Sequence, residues 1–341
     1  MILLQSYASP SPLSADYGVY KILKEDFDSL RSIYEQASTV APVYIKKIMK
    51  LAWRANRESC SGETVLGWGG PLALYAWLFG KLSFRKRLYI SQNLIFRGKT
   101  AGLKNKLMYN LYKRALHSKN FYMTVNAEGL VDYHAKMFDC DPRKFRVVYD
   151  NMELTDDQKQ KMAAIQRSVN EPYVFFGGVA ARDVETFVKI AEQLPEIKFR
   201  VVLKQQMILP KLRDLSNVEL FHDIPKDEFY DILLNATVCC IPLNSNAPCG
   251  LYTMQHAILM NIPIVSTDTY SMRTIVPDDS CGSLFPIGDA QGMACSCSRT
   301  HGESGRTETD GSGRGKELLQ VCAKNGWRIS LQSNQRYRIA S

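Results

Sequence analysis

The segment Ile224–Val276 constrains the fold of this chain most, because two short apolar runs flank a glycine turn and a helical pattern. The runs are Ala236–Pro242 and Ile262–Thr267, and each has the length and composition of a buried strand. Between them, a turn centred on Gly250 precedes helical periodicity from Thr253 to Met260. A strand, a glycine turn, a helix N-terminus and a second strand form a unit that can bind phosphate at the carboxyl edge of a parallel sheet. From this segment alone, the alternative is an ordinary βαβ unit whose loop binds nothing.

The rest of the chain continues this alternation. In the C-terminal half the predicted strands are 173–176, 198–203 and 217–221, the predicted helices are 184–194 and 225–234, and a Gly-Gly turn lies at 177–178. In the N-terminal half the predicted strands are 63–67, 87–94, 121–126 and 145–150, and the predicted helices include 104–114 and 128–137. Such an alternation predicts open parallel sheets of the α/β class.

Three runs in the C-terminal half are similar to a known family. They are the GG…RD…F…A…LP…F…V run from Gly177, the NVEL…IP…FY…L..A.V..IPL run from Asn217, and the PCGLYTMQHAILMNIPIVST run from Pro248. In this order they resemble the C-terminal domain of family 4-like glycosyltransferases of the GT-B fold, over about residues 60–293. The resemblance implies an α/β architecture in which two Rossmann-like domains face a cleft.

The resemblance also implies a division of the chain. Residues 1–150 are expected to form an acceptor-side Rossmann-like domain, 151–165 a polar hinge, and 166–293 the nucleotide-sugar-binding domain. The first third departs from the family, because only Ile2–Leu4 is apolar at the start and Ser14–Thr64 is too short for all the usual strands. The N-terminal domain is therefore expected to be truncated or compact.

Residues 294–341 are predicted to form an aberrant, disordered tail. The apolar period stops at Cys295, and Thr300–Lys316 contains five glycines and no Leu, Ile, Val or Phe. A shift of the reading frame by one base from about Cys295 permits, from Arg299 on, an amphipathic string that resembles the closing helices of the family. We interpret the tail as the result of a frameshift; a genuine disordered tail is the alternative.

The resemblance places the donor in the C-terminal domain. Arg182 would fork onto phosphate oxygens, Lys204 would supply a point charge, and backbone N–H groups from Gly250 to Thr253 would hold the phosphates. The predicted donor-binding residues are Gly178, Arg182, Lys204, Cys249, Gly250, Leu251, Tyr252, Thr253 and Gln255. The alternative for Arg182 is an ion pair with Asp183 or Glu185, and the alternative for Lys204 is a plain surface lysine.

The acceptor side and the chemistry are less defined. The predicted acceptor-side residues are Trp68, Gly69, Gly70 and Asn93. Two glutamates that retaining members carry are replaced by Ala247 and Gln255, so no catalytic residue is assigned, although Gln255 can hydrogen-bond a sugar or ribose hydroxyl. No metal and no cofactor beyond the donor substrate are expected, because positive groups and helix N-termini can neutralise the leaving diphosphate.

The positive charge is concentrated in one region. The chain has a net charge of +9, but Lys46 to Tyr149 contains 20 Lys/Arg against 6 Asp/Glu, which gives +14. Aromatic residues are interleaved with these lysines and arginines. This pattern predicts an anionic membrane surface or a polyphosphate-linked acceptor as partner. A solvated basic surface is the alternative, and nucleic acid ranks last because the sequence shows no nucleic-acid-binding motif.

A cytoplasmic location, or a peripheral one on the cytoplasmic face of a membrane, is expected. The apolar run Met1–Leu4 is too short for a signal peptide, and Pro71–Phe79 is too short to span a bilayer. The nine cysteines are therefore expected to be reduced. Cys295, Cys297 and His301 match no zinc spacing and lack a fourth ligand nearby.

Taken as a glycosyltransferase, the chain would transfer a sugar from a nucleotide-sugar donor to a saccharide or lipid-linked acceptor in the synthesis of cell-surface polysaccharide or glycolipid. Two alternatives remain open. A nucleotide-sugar epimerase has the same fold, and an inactive nucleotide-sugar-binding remnant would fit the replaced glutamates and the altered tail. Dependence on an acceptor would distinguish the transferase from both.

Overall fold

The computed structural model divides the chain into two compact units, Met1–Tyr149 and Asp150–Ser341. It describes residues 1–5, 29–35, 41–68, 71–83, 86–92, 102–148, 154, 156–164, 171–246, 249–276 and 282–304. Each unit contains a six-stranded parallel sheet. This architecture confirms the predicted α/β class.

The first unit is built on a sheet of order β2-β1-β3-β4-β5-β6. Its strands are β1 Ile2–Gln5, β2 Arg31–Tyr34, β3 Thr64–Trp68, β4 Leu88–Gln92, β5 Phe121–Val125 and β6 Phe145–Val147. Its helices are α1 Ala41–Glu58, α2 Leu72–Gly80, α3 Gly102–Leu116 and α4 Gly129–Phe138. The short run Ile2–Leu4 lies inside the sheet, between β2 and β3, and these three side chains have no solvent exposure. A four-residue strand suffices there because neighbours cover both of its edges and both faces are buried.

The second unit has a sheet of order β12-β11-β10-β7-β8-β9. Its strands are β7 Tyr173–Gly177, β8 Lys198–Leu203, β9 Val218–His222, β10 Val238–Ile241, β11 Ile264–Thr267 and β12 Gly282–Phe285. Its helices are α5 Asp156–Ala164, α6 Val184–Gln193, α7 Pro210–Arg213, α8 Lys226–Leu234, α9 Leu251–Leu259, α10 Met272–Ile275 and α11 Ala290–Ser304. The chain leaves β7 toward β8 and β9, then returns to place β10 on the other side of β7. This reversal is the topological switch point at which open α/β sheets bind ligands.

The predicted hinge contains a helix. α5 begins at Asp156, and its Lys161 pairs with Asp157 at 3.3 Å and with Asp231 of α8 at 2.8 Å. The pair with Asp157 has the helical i, i+4 spacing, and Lys and Gln are good helix formers, so a polar segment can form a helix on the surface of the second unit. Met162 also packs against the core of that unit.

The disordered tail was predicted to begin at residue 294, but the chain is helical for ten residues beyond that position. α11 continues to Ser304, ten residues beyond Ala294, and Met293, Ala294 and Cys297 on its inner face are buried. His301, one turn further on, contacts the Thr237 hydroxyl oxygen at 2.9 Å through Nδ1. The prediction of disorder for 295–304 was wrong because it counted only large aliphatic residues, whereas Ala and Cys at helical spacing form an apolar stripe of small side chains. Residues 305–341 lie outside the described part of the chain.

We predict that the frame-restored version is more stable than the present chain. Restoring the frame after Ala294 would replace the end of α11 and the glycine-rich segment that follows it by an amphipathic segment that can bury more apolar surface. Each kcal/mol gained should raise the Tm by about 2–4 °C. Thermal unfolding of the two proteins provides the measurement, and a chain truncated after Ser304 is the control. If the present chain unfolds at the temperature of the restored one, the frameshift interpretation is wrong.

A buried histidine makes the first unit sensitive to acid. His134 of α4 is 1% exposed and stacks between Phe138 and Phe145, with ring centroids 6.2 and 5.9 Å away. Neither ring nitrogen has a hydrogen-bond partner among the described residues. Burial therefore lowers the pKa of His134 from 6.5 to about 4.

We expect acid to destabilise the protein through this side chain. The folded-state pKa lies below the unfolded-state value, so stability is complete above pH 6.5 and is lost as the pH falls toward 4. Between pH 7.5 and pH 5 the loss should be about 2 kcal/mol. Urea unfolding of wild type and His134→Leu at both pH values measures it, with the exposed His117→Leu as control. An equal loss in wild type and His134→Leu would contradict this assignment.

Candidate functional site

The carboxyl ends of β7, β10 and β11 meet at the switch point of the second sheet. The loop after β7 and the loop after β10 are joined by two backbone hydrogen bonds, from Asp183 N to Pro242 O (3.0 Å) and from Asn244 N to Ala181 O (3.0 Å). The Leu243 amide donates to Thr267 Oγ1 at the end of β11, at 2.7 Å. These hydrogen bonds connect the carboxyl ends of three strands, so they fix the positions of the loops that follow β7 and β10.

Arg182 lies in the middle of this arrangement and is only 6% exposed. Its Nε donates to Gly177 O at 2.6 Å, its Nη1 to Ala180 O at 3.0 Å, and its Nη2 to Thr253 Oγ1 at 3.3 Å. The guanidinium therefore links the turn after β7 to the first turn of α9. It is buried between these two turns, and its predicted binding of phosphate oxygens stays a prediction.

The charge of Arg182 has no carboxylate partner in the part of the chain that the structure describes. The alternative ion pair with Asp183 does not form, because the Asp183 side chain caps α6 and accepts from the Thr186 amide at 3.0 Å. Burial lowers the pKa of Arg182 to about 10, so the guanidinium is still protonated at neutral pH. An uncompensated buried charge costs several kcal/mol, and an anion bound beside it would offset part of that cost.

Two glycines make room for this guanidinium. Gly178 has φ +116°, and a Cβ there would overlap the Arg182 side chain. Gly250 has φ +84° at the N-cap of α9, and a Cβ there would lie 3.2 Å from Arg182 Nη1. Both positions need the left-handed region that glycine adopts without strain. The Gly177–Gly178 turn and the Gly250 turn thus lie on two sides of the Arg182 guanidinium and leave room for it.

The start of α9 carries most of the other predicted donor residues. The first bond of the helix runs from Met254 N to Gly250 O, so the N–H groups of Leu251, Tyr252 and Thr253 belong to the open first turn. Cys249 is buried against Ala181. Gln255 is 6% exposed, which places it on the inner side of α9. A helix N-terminus of this kind favours a negatively charged group.

A cluster of rings and one lysine beside this turn is not evident from the sequence. Tyr252 is 48% exposed and its ring lies 4.6 Å from that of His256, which stacks on Tyr230 at 4.2 Å. Lys226 Nζ lies 5.3 Å from the Tyr252 ring centroid. Burial is the main cause of the lowered pKa of His256. The only signal in the sequence is the pair of i, i+4 spacings, Lys226/Tyr230 on α8 and Tyr252/His256 on α9.

The structure does not bring Lys204 into contact with these residues. Lys204 follows β8, and its ammonium pairs with Asp223 at 2.9 Å after β9, with both side chains nearly half exposed. This pair lowers the pKa of Asp223. On the acceptor side, Trp68 ends β3, while Gly69, Gly70 and Asn93 lie outside the described residues. The structure therefore unites Gly178, Arg182, Gly250 and Thr253, and leaves Lys204 with a partner of its own.

No group of three or more His, Cys, Asp or Glu side chains among the described residues is arranged to hold a metal ion. In the same part of the chain, no helix combines the length and apolar character that crossing a membrane requires.

Comparison with known proteins identifies the fold. No family model and no curated protein matches the sequence. Among solved structures, sucrose-phosphate synthase from Thermosynechococcus elongatus is 13% identical with a TM-score of 0.65, and the match covers 95% of this chain and 96% of that one. A UDP-forming α,α-trehalose-phosphate synthase from Burkholderia xenovorans is 8% identical with a TM-score of 0.56, over 96% and 99% of the two chains. The UDP-GlcNAc 2-epimerase from Methanocaldococcus jannaschii is 10% identical with a TM-score of 0.55, over 95% and 99%.

These structures and the two parallel sheets show that the chain has the two-domain, Rossmann-like GT-B fold. The fold predicted from the sequence is confirmed. The identities are low, so the likeness is one of fold alone.

We predict that Gly178→Ala destabilises the second unit more than a matched glycine change. Gly288→Ala is the control, because Gly288 also has a positive φ (+82°, against +116° for Gly178) but no atom within 4 Å of its missing Cβ. The control should lose about 1 kcal/mol for backbone strain, and Gly178→Ala should lose roughly 1–3 kcal/mol more for the overlap with Arg182 and the larger φ. Urea unfolding measures both. Equal losses would show that Arg182 does not depend on the space at Gly178.

Proposed function

We propose that this protein binds a nucleotide-sugar through its diphosphate at the switch point of the second unit. In this proposal it transfers the sugar to a saccharide or lipid-linked acceptor. The observation that carries the proposal is the buried Arg182 guanidinium, which has no carboxylate partner among the described residues and lies under the first turn of α9. A fixed positive charge beside open backbone N–H groups is suited to a phosphate anion.

The proposed role of Arg182 in the transfer reaction follows from the position at which negative charge develops. When the bond between the sugar and the nucleoside diphosphate breaks, negative charge accumulates on the leaving phosphate oxygens. The Arg182 charge and the N-terminus of α9 stabilise that charge without reorganising, because hydrogen bonds to Gly177, Ala180 and Thr253 already hold the guanidinium. We include metal independence in the proposal on this ground. No residue is assigned as the catalytic base.

Tyr252, on the same turn of α9, offers an aromatic surface on which a nucleoside can stack. Tyr252 is 48% exposed, and its ring contacts the rings of the buried residues Tyr230 and His256, with centroids 6.0 and 4.6 Å away. Stacking of a base on such a ring is typically worth about 1–3 kcal/mol. We therefore place the diphosphate at Gly250–Thr253 and the base or the sugar against Tyr252.

The solved neighbours support the ligand class. The M. jannaschii epimerase was solved with UDP-GlcNAc and UDP, and the B. xenovorans synthase is a UDP-forming enzyme solved with glucose-6-phosphate. The same comparison favours a second candidate, a nucleotide-sugar epimerase. The replaced glutamates, Ala247 and Gln255, keep a third candidate open, which is a protein that binds the donor without turning it over.

We expect loss of the Arg182 charge to weaken diphosphate binding. Calorimetric titration of wild type and Arg182→Met with a panel of nucleoside diphosphates should show a loss of about tenfold to a hundredfold in Kd, the value of one charge-assisted phosphate interaction. The parent nucleosides should lose much less. Arg213→Met, at an exposed position of the same unit, is the matched control, and Thr253→Val tests the bond that orients Arg182 if Arg182→Met does not fold. Unchanged diphosphate affinity in both site variants would rule out this assignment.

Turnover distinguishes the three candidates. Purified protein is incubated with nucleotide-sugars, with and without saccharide and lipid-linked acceptors, and nucleoside diphosphate release is followed. A transferase releases diphosphate in step with glycosylated acceptor. An epimerase converts the sugar without an acceptor, and a binding protein does neither. We propose that the acceptor lies at the cytoplasmic face of a membrane, where the first unit meets the lipid.

A further inference from the structure

We propose that the helical layer α1–α3 of the first unit is a docking surface for anionic lipid bilayers. This surface belongs to the first unit, whereas the proposed donor site belongs to the second. Within the described residues, ten large hydrophobic side chains are exposed, and seven of them lie on α1–α3 or on the turn that follows α2. These seven are Val43, Met49, Trp53, Leu78, Leu82, Leu103 and Leu107.

The three helices lie on one face of the first sheet. They connect β2 to β3, β3 to β4 and β4 to β5, and each connection moves in the same direction across the sheet. Right-handed crossovers that move in one direction place their helices on one side. α1 contacts α2, and α2 contacts α3. Their outward faces therefore form one layer.

The outward face of α1 combines apolar and basic side chains. Ile48, Leu51 and Ala52 face inward and are buried. Val43, Met49 and Trp53 are each 41–49% exposed. The neighbouring basic residues Lys46, Lys50 and Arg57 are exposed as well. Residues 43, 46, 50, 53 and 57 follow the 3-4-3-4 spacing of one helical stripe.

Acidic side chains are nearly missing from this layer. Glu58, at the end of α1, is the only acid in that helix and pairs with Arg54 at 3.4 Å. α3 contains no acidic residue, and its Leu103 and Leu107, which are 85% and 59% exposed, lie among Lys104 and Lys106. A solvated helix face normally mixes both signs of charge. One sign together with exposed large apolar groups is typical of helices that lie in the plane of an anionic membrane.

Trp53 has the environment expected for a membrane-interface residue. Its ring is half exposed, and the Arg57 guanidinium lies 5.4 Å from the ring centroid. The ring can enter the boundary between headgroups and acyl chains while Lys46, Lys50 and Arg57 contact lipid phosphates. Nucleic acid would use the basic groups but would leave Val43, Met49, Leu103 and Leu107 in water, so the apolar part favours lipid.

The test is flotation of the full chain with two kinds of vesicle, one of phosphatidylcholine alone and one of equal parts phosphatidylcholine and phosphatidylglycerol. Wild type should float with the anionic vesicles, less so at high salt, and a blue shift of tryptophan emission should accompany binding. Lys46→Glu/Lys50→Glu should reduce partitioning by at least roughly thirtyfold, since each basic residue near the surface contributes about fivefold and the introduced carboxylates are repelled. Trp53→Ser should weaken binding and remove most of the blue shift.

The matched control is Lys189→Glu/Arg213→Glu, the same charge change at exposed positions of the second unit, which should float like wild type. All variants should keep the wild-type affinity for nucleoside diphosphate, so failure of the docking proposal and failure of the donor site are separable. Equal binding to both vesicle types, or equal loss in the control, would overturn the proposal. So would binding to a short RNA duplex without binding to vesicles.

Discussion

A single buried cation organises the candidate site. The guanidinium of Arg182 joins the loop after β7 to the first turn of α9, and the two turns need glycine because the guanidinium fills the space that side chains would occupy. Burying this charge without a carboxylate partner in the described part is unfavourable by itself. Binding of an anion beside the guanidinium would therefore offset part of the free-energy cost of burying its charge. In the proposed function, phosphate recognition would depend more on this buried guanidinium than on any exposed side chain.

The two units divide the electrostatics of the chain between them. In the second unit the important charge is one internal guanidinium at a sheet edge, fixed by three hydrogen bonds. In the first unit the charge is spread over the outer faces of α1 and α3, among exposed apolar side chains. A fixed internal charge gives selectivity for a small anion, whereas a dispersed basic surface suits an extended one. The proposed donor site and the proposed lipid surface thus use the same chemical group in two physical settings.

Composition alone does not predict two of the helices. Residues 156–164, in the predicted polar hinge, form α5, because the Asp157–Lys161 pair and good helix formers stabilise a helix on the surface. Residues 295–304 lack large aliphatic side chains, yet α11 extends through them, since Cys297 and His301 follow Met293 at a four-residue spacing and face the sheet. The composition of a segment does not contain the spacing of its residues, and this spacing decides which side chains of a helix are buried.

The sequence by itself determined the fold class, five of the six strands of the second sheet and the glycine turns at 177–178 and 250, because short apolar runs and glycines act through local periodicity and backbone freedom. It also located the basic region of the first unit. Only the tertiary structure decided which charges meet. It buried Arg182 under α9, paired Lys204 with Asp223, and stacked Tyr230 on His256. These contacts join residues 19 to 71 positions apart, and separations of that length leave no periodic signal in a single sequence.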